Sequence, residues 1–228
     1  MSPASFPIDV DGARTTGLVY AAGAAGGAGA TLVLAHGAGA PQTHPWMVSA
    51  AREVAARGID VVTFNFLYAE AKRRAPDRND VLEATWRAAL QAVRDRGGAA
   101  TRRLFIGGKS MGGRIATQVA AAASGGAGPV SGLVLLGYPL HPPGKPAQLR
   151  ASHLPRVPAP MLFVQGSRDA FGTPEELEPV LQGLAPGSRL FVVEGGDHSL
   201  SSGRRGGASL DQVLARVADE IAAFMASR

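Results

Sequence analysis

Six short stretches of the chain carry continuous apolar runs rather than alternating ones: Thr31–Ala35, Ile59–Phe66, Arg103–Ile106, Gly132–Leu136, Pro160–Gln165 and Arg189–Val193. A strand that is apolar on both faces belongs in a parallel sheet covered by helices on each side. Between these runs the pattern changes to helical spacing. Pro45 suits a first helical turn, and Trp46, Val54 and the alanines between them predict a helix that ends at Gly58. Asp80 with Glu83, Thr173 with Glu176 and Ser209 with Gln212 have the three-residue spacing of a capping box, in which side chains satisfy the orphan N–H groups of a first turn. The last of these opens a helix with Leu210, Val213, Leu214, Val217, Ile221 and Phe224 on one face. Strand and helix alternate, so the predicted class is α/β.

Ahead of the first parallel strand, Phe6–Val10 and Thr15–Tyr20 flank Asp11-Gly12 and read as an antiparallel hairpin at the sheet edge, giving eight strands. The alanine–glycine tract from Ala21 to Ala30 reads as a surface connector. Tyr138–Ala159 holds six prolines and is too short and too often broken to build a helical cap, so the site beneath it is expected to be open. No composition shift marks a boundary, and residues 1–228 are expected to form one domain.

Composition narrows the class further. A chain of 228 residues can bury about 70–75% of its unfolded surface. With 46% hydrophobic and 18% charged residues it fits a soluble globular protein rather than a disordered one. No apolar run is long enough to span a membrane, and MSPASFPIDVDG lacks the basic and apolar regions of an export signal, so a cytoplasmic location is the expectation. The absence of cysteine excludes disulfides, thiolate metal sites and a cysteine nucleophile. The histidines show no metal-ligand spacing, and no metal or other cofactor is expected.

The net charge of +5 raises the question of nucleic acid, but phosphate binding needs a cluster. Only Lys72, Arg73, Arg74 and Arg78 gather, with a smaller pair at Arg204 and Arg205, so a nucleic-acid partner is not expected. The 72–78 segment follows the second parallel strand. Arg73, Arg74 and Arg78, together with Tyr138, are expected as substrate contacts, the arginines toward an anionic group.

The chemistry gathers at strand ends. Gly108-Lys109-Ser110-Met111-Gly112 lies between the third parallel strand and a helix-compatible segment, Arg114–Ala123. G-x-S-x-G in that context forces the serine onto a tight, strained turn with Oγ exposed, which makes Ser110 the candidate nucleophile. Two rival glycine-rich readings fail on spacing. A P-loop ending at Gly108-Lys109-Ser110 needs glycine where Arg103 stands, and a dinucleotide fingerprint starting at Gly37 needs glycine where Gln42 stands. A serine needs a base, and the base needs an orienting carboxylate. His198 follows the last strand and Asp169 the one before it. Asp197 is the rival acid, but its adjacency to His198 hinders alignment with Nδ1. The oxyanion hole is expected from the Met111 N–H and from the loop His36-Gly37-Ala38-Gly39-Ala40, with Ala38 first and Gly37 next. His36 is expected to pin that loop rather than to move protons.

With these residues assembled, the chain resembles the α/β-hydrolase superfamily over nearly its whole length. It is most similar to the small, lidless dienelactone-hydrolase-like members, in the branch that also contains the hydrolase-like subunit of the NSL chromatin complex. The segments that carry the resemblance are LAHGAGA at 34–40, GGKSMGGR at 107–114, LGYPLHPPGKP at 136–146, QGSRDAFGTPEEL at 165–177 and GGDHSL at 195–200. The resemblance implies a mostly parallel eight-stranded sheet with helices on both faces and no cap domain. It also implies the set Ser110, Asp169, His198 at the C-terminal strand edge. True dienelactone hydrolases use cysteine where this chain has Ser110, so dienelactone specificity does not carry over. The expected activity is hydrolysis of a small carboxylic ester through an acyl-enzyme. The alternatives are acyl transfer by the same residues and a non-catalytic interaction role on a hydrolase scaffold.

Overall fold

The computed structural model describes residues 2–22, 29–97, 103–122, 127–203 and 207–228. Eight strands form one sheet: β1 (Ala4–Val10), β2 (Ala13–Tyr20), β3 (Ala30–Ala35), β4 (Asp60–Phe64), β5 (Arg103–Lys109), β6 (Gly132–Leu136), β7 (Met161–Gly166) and β8 (Arg189–Val193). Their order across the sheet is β1-β2-β4-β3-β5-β6-β7-β8. β1 and β2 pair antiparallel through the Asp11-Gly12 turn, β2 meets β4 antiparallel, and every pairing from β4 to β8 is parallel.

The continuous apolar runs follow from this arrangement, because successive side chains point to opposite faces and each face is covered. Val33, Ala35, Leu133 and Leu135 pack in one core with Trp86 and Leu90 of α3 (Asn79–Arg96) and Ile115 and Val119 of α4 (Met111–Ala121). Leu32, Leu34, Val134 and Leu136 pack in the other with Val54 of α1 (Pro45–Ala55) and Val217 and Phe224 of α6 (Leu210–Ala226). Two shorter helices complete the set, α2 (Leu67–Glu70) and α5 (Pro174–Leu181), with a 3-10 turn at Leu154–Arg156 inside the proline-rich segment. No helix among the described residues is long and apolar enough to cross a membrane.

Several local expectations need adjustment. The capping boxes at Thr173 and Ser209 form, but the one at Asp80 does not. α3 begins two residues earlier than that box requires, with Arg78 at the N-cap, so Asp80 already lies inside the first turn, where its carboxylate reaches Arg78 at 3.0 Å; Asn79 Nδ2 donates to Glu83 at 2.6 Å instead. α1 ends at Ala55, followed by a turn in which Gly58 takes the left-handed conformation at φ 82°. β5 runs three residues past Ile106, through the two glycines to Lys109. The Arg204–Arg205 pair and most of the alanine–glycine tract lie outside the described residues.

Candidate active site

β3 and β5 are neighbours, yet the chain leaves β3 toward β4 on one side and reaches β5 on the other. Their C-terminal ends therefore border the switch point of the sheet, where the two exit loops splay apart and leave a crevice. A cavity of about 400 Å³ occupies that position, with Ser110 and His198 on its wall. A larger opening of about 510 Å³ lies at the opposite ends of β3 and β4, beside Thr31 and Asp60, and holds no serine or histidine.

Ser110 joins β5 to α4 at φ 51° and ψ −117°, a left-handed conformation that costs a non-glycine residue on the order of 1–3 kcal/mol. Close backbone approach holds it there. A Cβ on Gly108 would stand 2.6 Å from the Ala35 carbonyl oxygen, and one on Gly112 would stand 2.5 Å from the carbonyl oxygens of both Ala35 and His36. The glycines of G-x-S-x-G thus let α4 sit against the end of β3, and the Ser110 N–H is tied to the Leu136 carbonyl at 2.9 Å.

His198 Nε2 lies 2.8 Å from Ser110 Oγ, and His198 Nδ1 lies 2.8 Å from Asp169 Oδ2 and 3.0 Å from Oδ1. A carboxylate only accepts, so Nδ1 carries the proton and donates to Asp169; Nε2 of the neutral ring then accepts from the serine hydroxyl. Asp169 is 1% exposed and receives two further donors, the Gln165 side-chain amide at 2.8 Å and the Phe171 N–H at 2.8 Å. Gln165 is fixed in turn, because its Oε1 accepts from the Tyr138 N–H at 2.8 Å. The Phe171 ring stacks on the His198 imidazole, with centroids 4.1 Å apart and planes inclined by 28°. Asp197, the rival acid, instead accepts from the N–H groups of Ser199 and Ser201 at 2.8 and 3.0 Å, closing the turn that carries His198.

The loop after β3 is tied from below. His36 Nε2 accepts from the Phe66 N–H at 3.1 Å, which leaves Nδ1 protonated to donate to the Gly37 carbonyl at 2.7 Å. Desolvation pushes the His36 pKa down to about 4, so the ring stays neutral and keeps this tautomer. The Tyr68 hydroxyl donates to the carbonyls of Gly37 and Ala38, at 3.2 and 3.1 Å. In a trans peptide the N–H points opposite to its carbonyl, so the Ala38 N–H faces away from Tyr68; Ala38 itself lines the cavity. Gly37 approaches closely: a Cβ there would lie 3.5 Å from Ser110 Cβ. Met111 opens α4, where a backbone N–H has no intrahelical partner.

Four expected contacts lie elsewhere. Tyr138 is 1% exposed; its hydroxyl donates to the Arg150 carbonyl at 2.8 Å and its ring packs edge-on to Phe163. It belongs to the core beneath the site rather than to the cavity wall. Arg73 pairs with Asp77 at 2.6 Å and Arg78 with Asp80 at 3.0 Å, while Arg74 is exposed. α2 and the Asp77 carboxylate, which accepts from the Tyr68 N–H at 2.8 Å, fold the segment onto itself, and none of the three arginines lines the cavity. Sequence reasoning missed Gln165, Phe171, Tyr68 and Lys109. The one available signal was a polar Gln165 at the close of an apolar run, four residues before Asp169.

A model of the family described as "Alpha/beta hydrolase domain" matches residues 28–226. The chain belongs to that alpha/beta hydrolase family. Among solved structures, a dienelactone hydrolase from Anabaena variabilis superposes with a TM-score of 0.72 at 19% identity, covering 98% of this chain and 97% of that one. The esterase domain of a Rhodothermus marinus protein gives 0.72 at 15% identity, covering 100% and 99%. A serine hydrolase without a lid from Xanthomonas campestris gives 0.68 at 21% identity, covering 88% and 87%. At these identities the likeness is one of fold; among the described residues of this alpha/beta hydrolase no helical domain is inserted over the sheet edge.

Proposed function

We propose that the protein hydrolyses carboxylic esters through an acyl-enzyme formed on Ser110, with His198 as base and acid and Asp169 as the orienting carboxylate. The observation that carries the reading is the continuous chain Ser110 Oγ, His198 Nε2, His198 Nδ1, Asp169 Oδ2, with both links at 2.8 Å. Family membership and the serine hydrolases and esterases among proteins of like fold support it.

Ser110 Oγ attacks the ester carbonyl carbon while its proton passes to His198 Nε2. The C–O π bond opens to an oxyanion, which accepts hydrogen bonds from the N–H groups of Met111 and Ala38. Each such donor is worth on the order of 3–4 kcal/mol where it has been removed in other enzymes. The Asp169 charge, itself held by Gln165 and the Phe171 N–H, stabilises the imidazolium and fixes its orientation. The intermediate collapses, the bond to the alcohol oxygen breaks, and His198 returns the proton to that oxygen. Water then attacks the acyl-enzyme by the same route and releases the acid with Ser110 restored.

A fluorophosphonate probe and a series of short-chain p-nitrophenyl esters test the assignment. Wild type is expected to be labelled and to turn over esters; Ser110→Ala is expected to lose both. Equal labelling of wild type and Ser110→Ala would reject Ser110 as the nucleophile, and turnover by neither would favour a binding role for the fold.

A further inference from the structure

Lys109 precedes the nucleophile, and the ester chemistry above gives it no task. Its side chain lines the cavity, where Nζ donates to the His198 carbonyl at 2.5 Å and stands 5.7 Å from the centre of the Trp46 ring. An ammonium group has three donors and a full positive charge. The carbonyl takes one donor and the indole face only part of the charge. No carboxylate among the described residues forms an ion pair with Nζ; Asp169 and Asp197 act on it from a distance, and Asp169 is already committed to His198. The other titratable groups on this wall, His198 and His44, supply no negative charge.

Lys109 is half-buried, and an ammonium drawn out of water without a counter-ion is costly; proteins ordinarily provide a partner or leave the group in water. Here desolvation pushes the Lys109 pKa down to about 8, with the two distant aspartates pulling the other way, so the group is still mostly charged at neutral pH. Around it the cavity wall is largely apolar, through Ala38, Met47 and Phe171. The missing charge is therefore one that a ligand would bring.

We propose that Lys109 Nζ forms an anion-binding subsite beside Ser110 and selects esters that carry a carboxylate close to the scissile carbonyl, such as half-esters of short dicarboxylic acids. The reaction part of this proposal rests on the ester-hydrolase reading; the binding part rests on Lys109 itself.

The test compares ethyl hydrogen succinate with diethyl succinate, acid release being followed at constant pH. In wild type the half-ester is expected to have the higher kcat/KM. Lys109→Met should lower kcat/KM for the half-ester about 10- to 100-fold more than for the diester, the usual worth of a hydrogen bond to a charged group, and the difference should fall mainly on KM. Lys109→Arg should keep part of the preference. Calorimetric titration of Ser110→Ala with the same two compounds reads binding without turnover, and the tighter binding of the half-ester should disappear in Lys109→Met/Ser110→Ala. Equal losses for both esters would make Lys109 a positioning residue for His198 and overturn the proposal, as would equal binding of the two compounds by Ser110→Ala. If no ester is turned over but Ser110→Ala still binds the half-ester through Lys109, the hydrolase reading fails and the subsite stands.

Discussion

The side-chain amide of Gln165 donates to the carboxylate of Asp169 at 2.8 Å, and the same amide accepts from the Tyr138 N–H at 2.8 Å, with both side chains almost wholly buried. The two bonds fix which end of the amide faces the acid. Gln165→Leu removes the donor from a buried carboxylate and strands the Tyr138 N–H. Stability is expected to fall by about 1–3 kcal/mol and kcat/KM about tenfold, read by urea unfolding and ester turnover. A Gln165→Leu enzyme with wild-type rate and stability would show that the bond orients nothing.

Asp169 and Asp197 both precede His198 by loop geometry, but only Asp169 touches its imidazole. On the proposed mechanism, Asp169→Asn is expected to cost up to about 10⁴-fold in kcat, by analogy with the triads of serine proteases. Asp197→Asn should act mainly on the turn it closes. A reversed ranking of the two rates would move the acid role to Asp197.

The Phe171 ring covers one face of His198 at 4.1 Å. Stacked aromatic pairs contribute roughly 0.5–1.5 kcal/mol beyond their buried area, so Phe171→Ala should lower kcat about two- to tenfold, and Phe171→Tyr less. Identical rates for Ala and Tyr at this position would mean that the stack has no part in holding the base.

Gly112 has no room for a methyl group: the atoms it would meet are backbone carbonyl oxygens of β3 and its exit loop, 2.5 Å away, which cannot rotate aside. Gly112→Ala is expected to destabilise the fold by about 2 kcal/mol or more and to displace Ser110 with it. A melting temperature equal to wild type would show that α4 can shift freely.

His36 gives the fold an acid-sensitive component. Its folded pKa is lowered to about 4 from an ordinary 6.5, so the unfolded chain takes up a proton that the folded one refuses. The stabilisation is fully present above pH 6.5 and is lost as the pH falls toward 4, amounting to about 3 kcal/mol over that window. Urea midpoints at pH 7 and pH 4.5 should differ more for wild type than for His36→Asn. An equal pH response in both would remove His36 from the account.

Much of the fold was legible because it depends on local pattern. Continuous apolar runs mark strands buried on both faces, and the placement of Ser110, Asp169 and His198 after the C-terminal ends of three parallel strands, β5, β7 and β8, already put them on one edge. The Asp80 box failed because the helix boundary lies two residues earlier, with Arg78 at the N-cap. Tyr138 and the arginines of 73–78 were misplaced because emergence near the edge does not fix direction: Tyr138 packs on Phe163 and bonds to the Arg150 carbonyl, Arg73 pairs with Asp77 and Arg78 with Asp80.

The sequence alone determined the alternation of elements, the strained turn at Ser110 and the inventory of a hydroxyl, an imidazole and a carboxylate, since each is set by residue type and short-range spacing. Only the tertiary structure decided which acid meets His198, that Gln165 and Phe171 hold it, that Tyr68 and His36 hold the loop carrying Ala38, and that Lys109 sits at the cavity without an ion-pair partner among the described residues. Several of those relationships join residues far apart in the chain, 29 positions for Asp169 and His198 and 89 for Lys109 and His198, and the others hang on the direction of one side chain; they exist only once the sheet has brought its strand ends together.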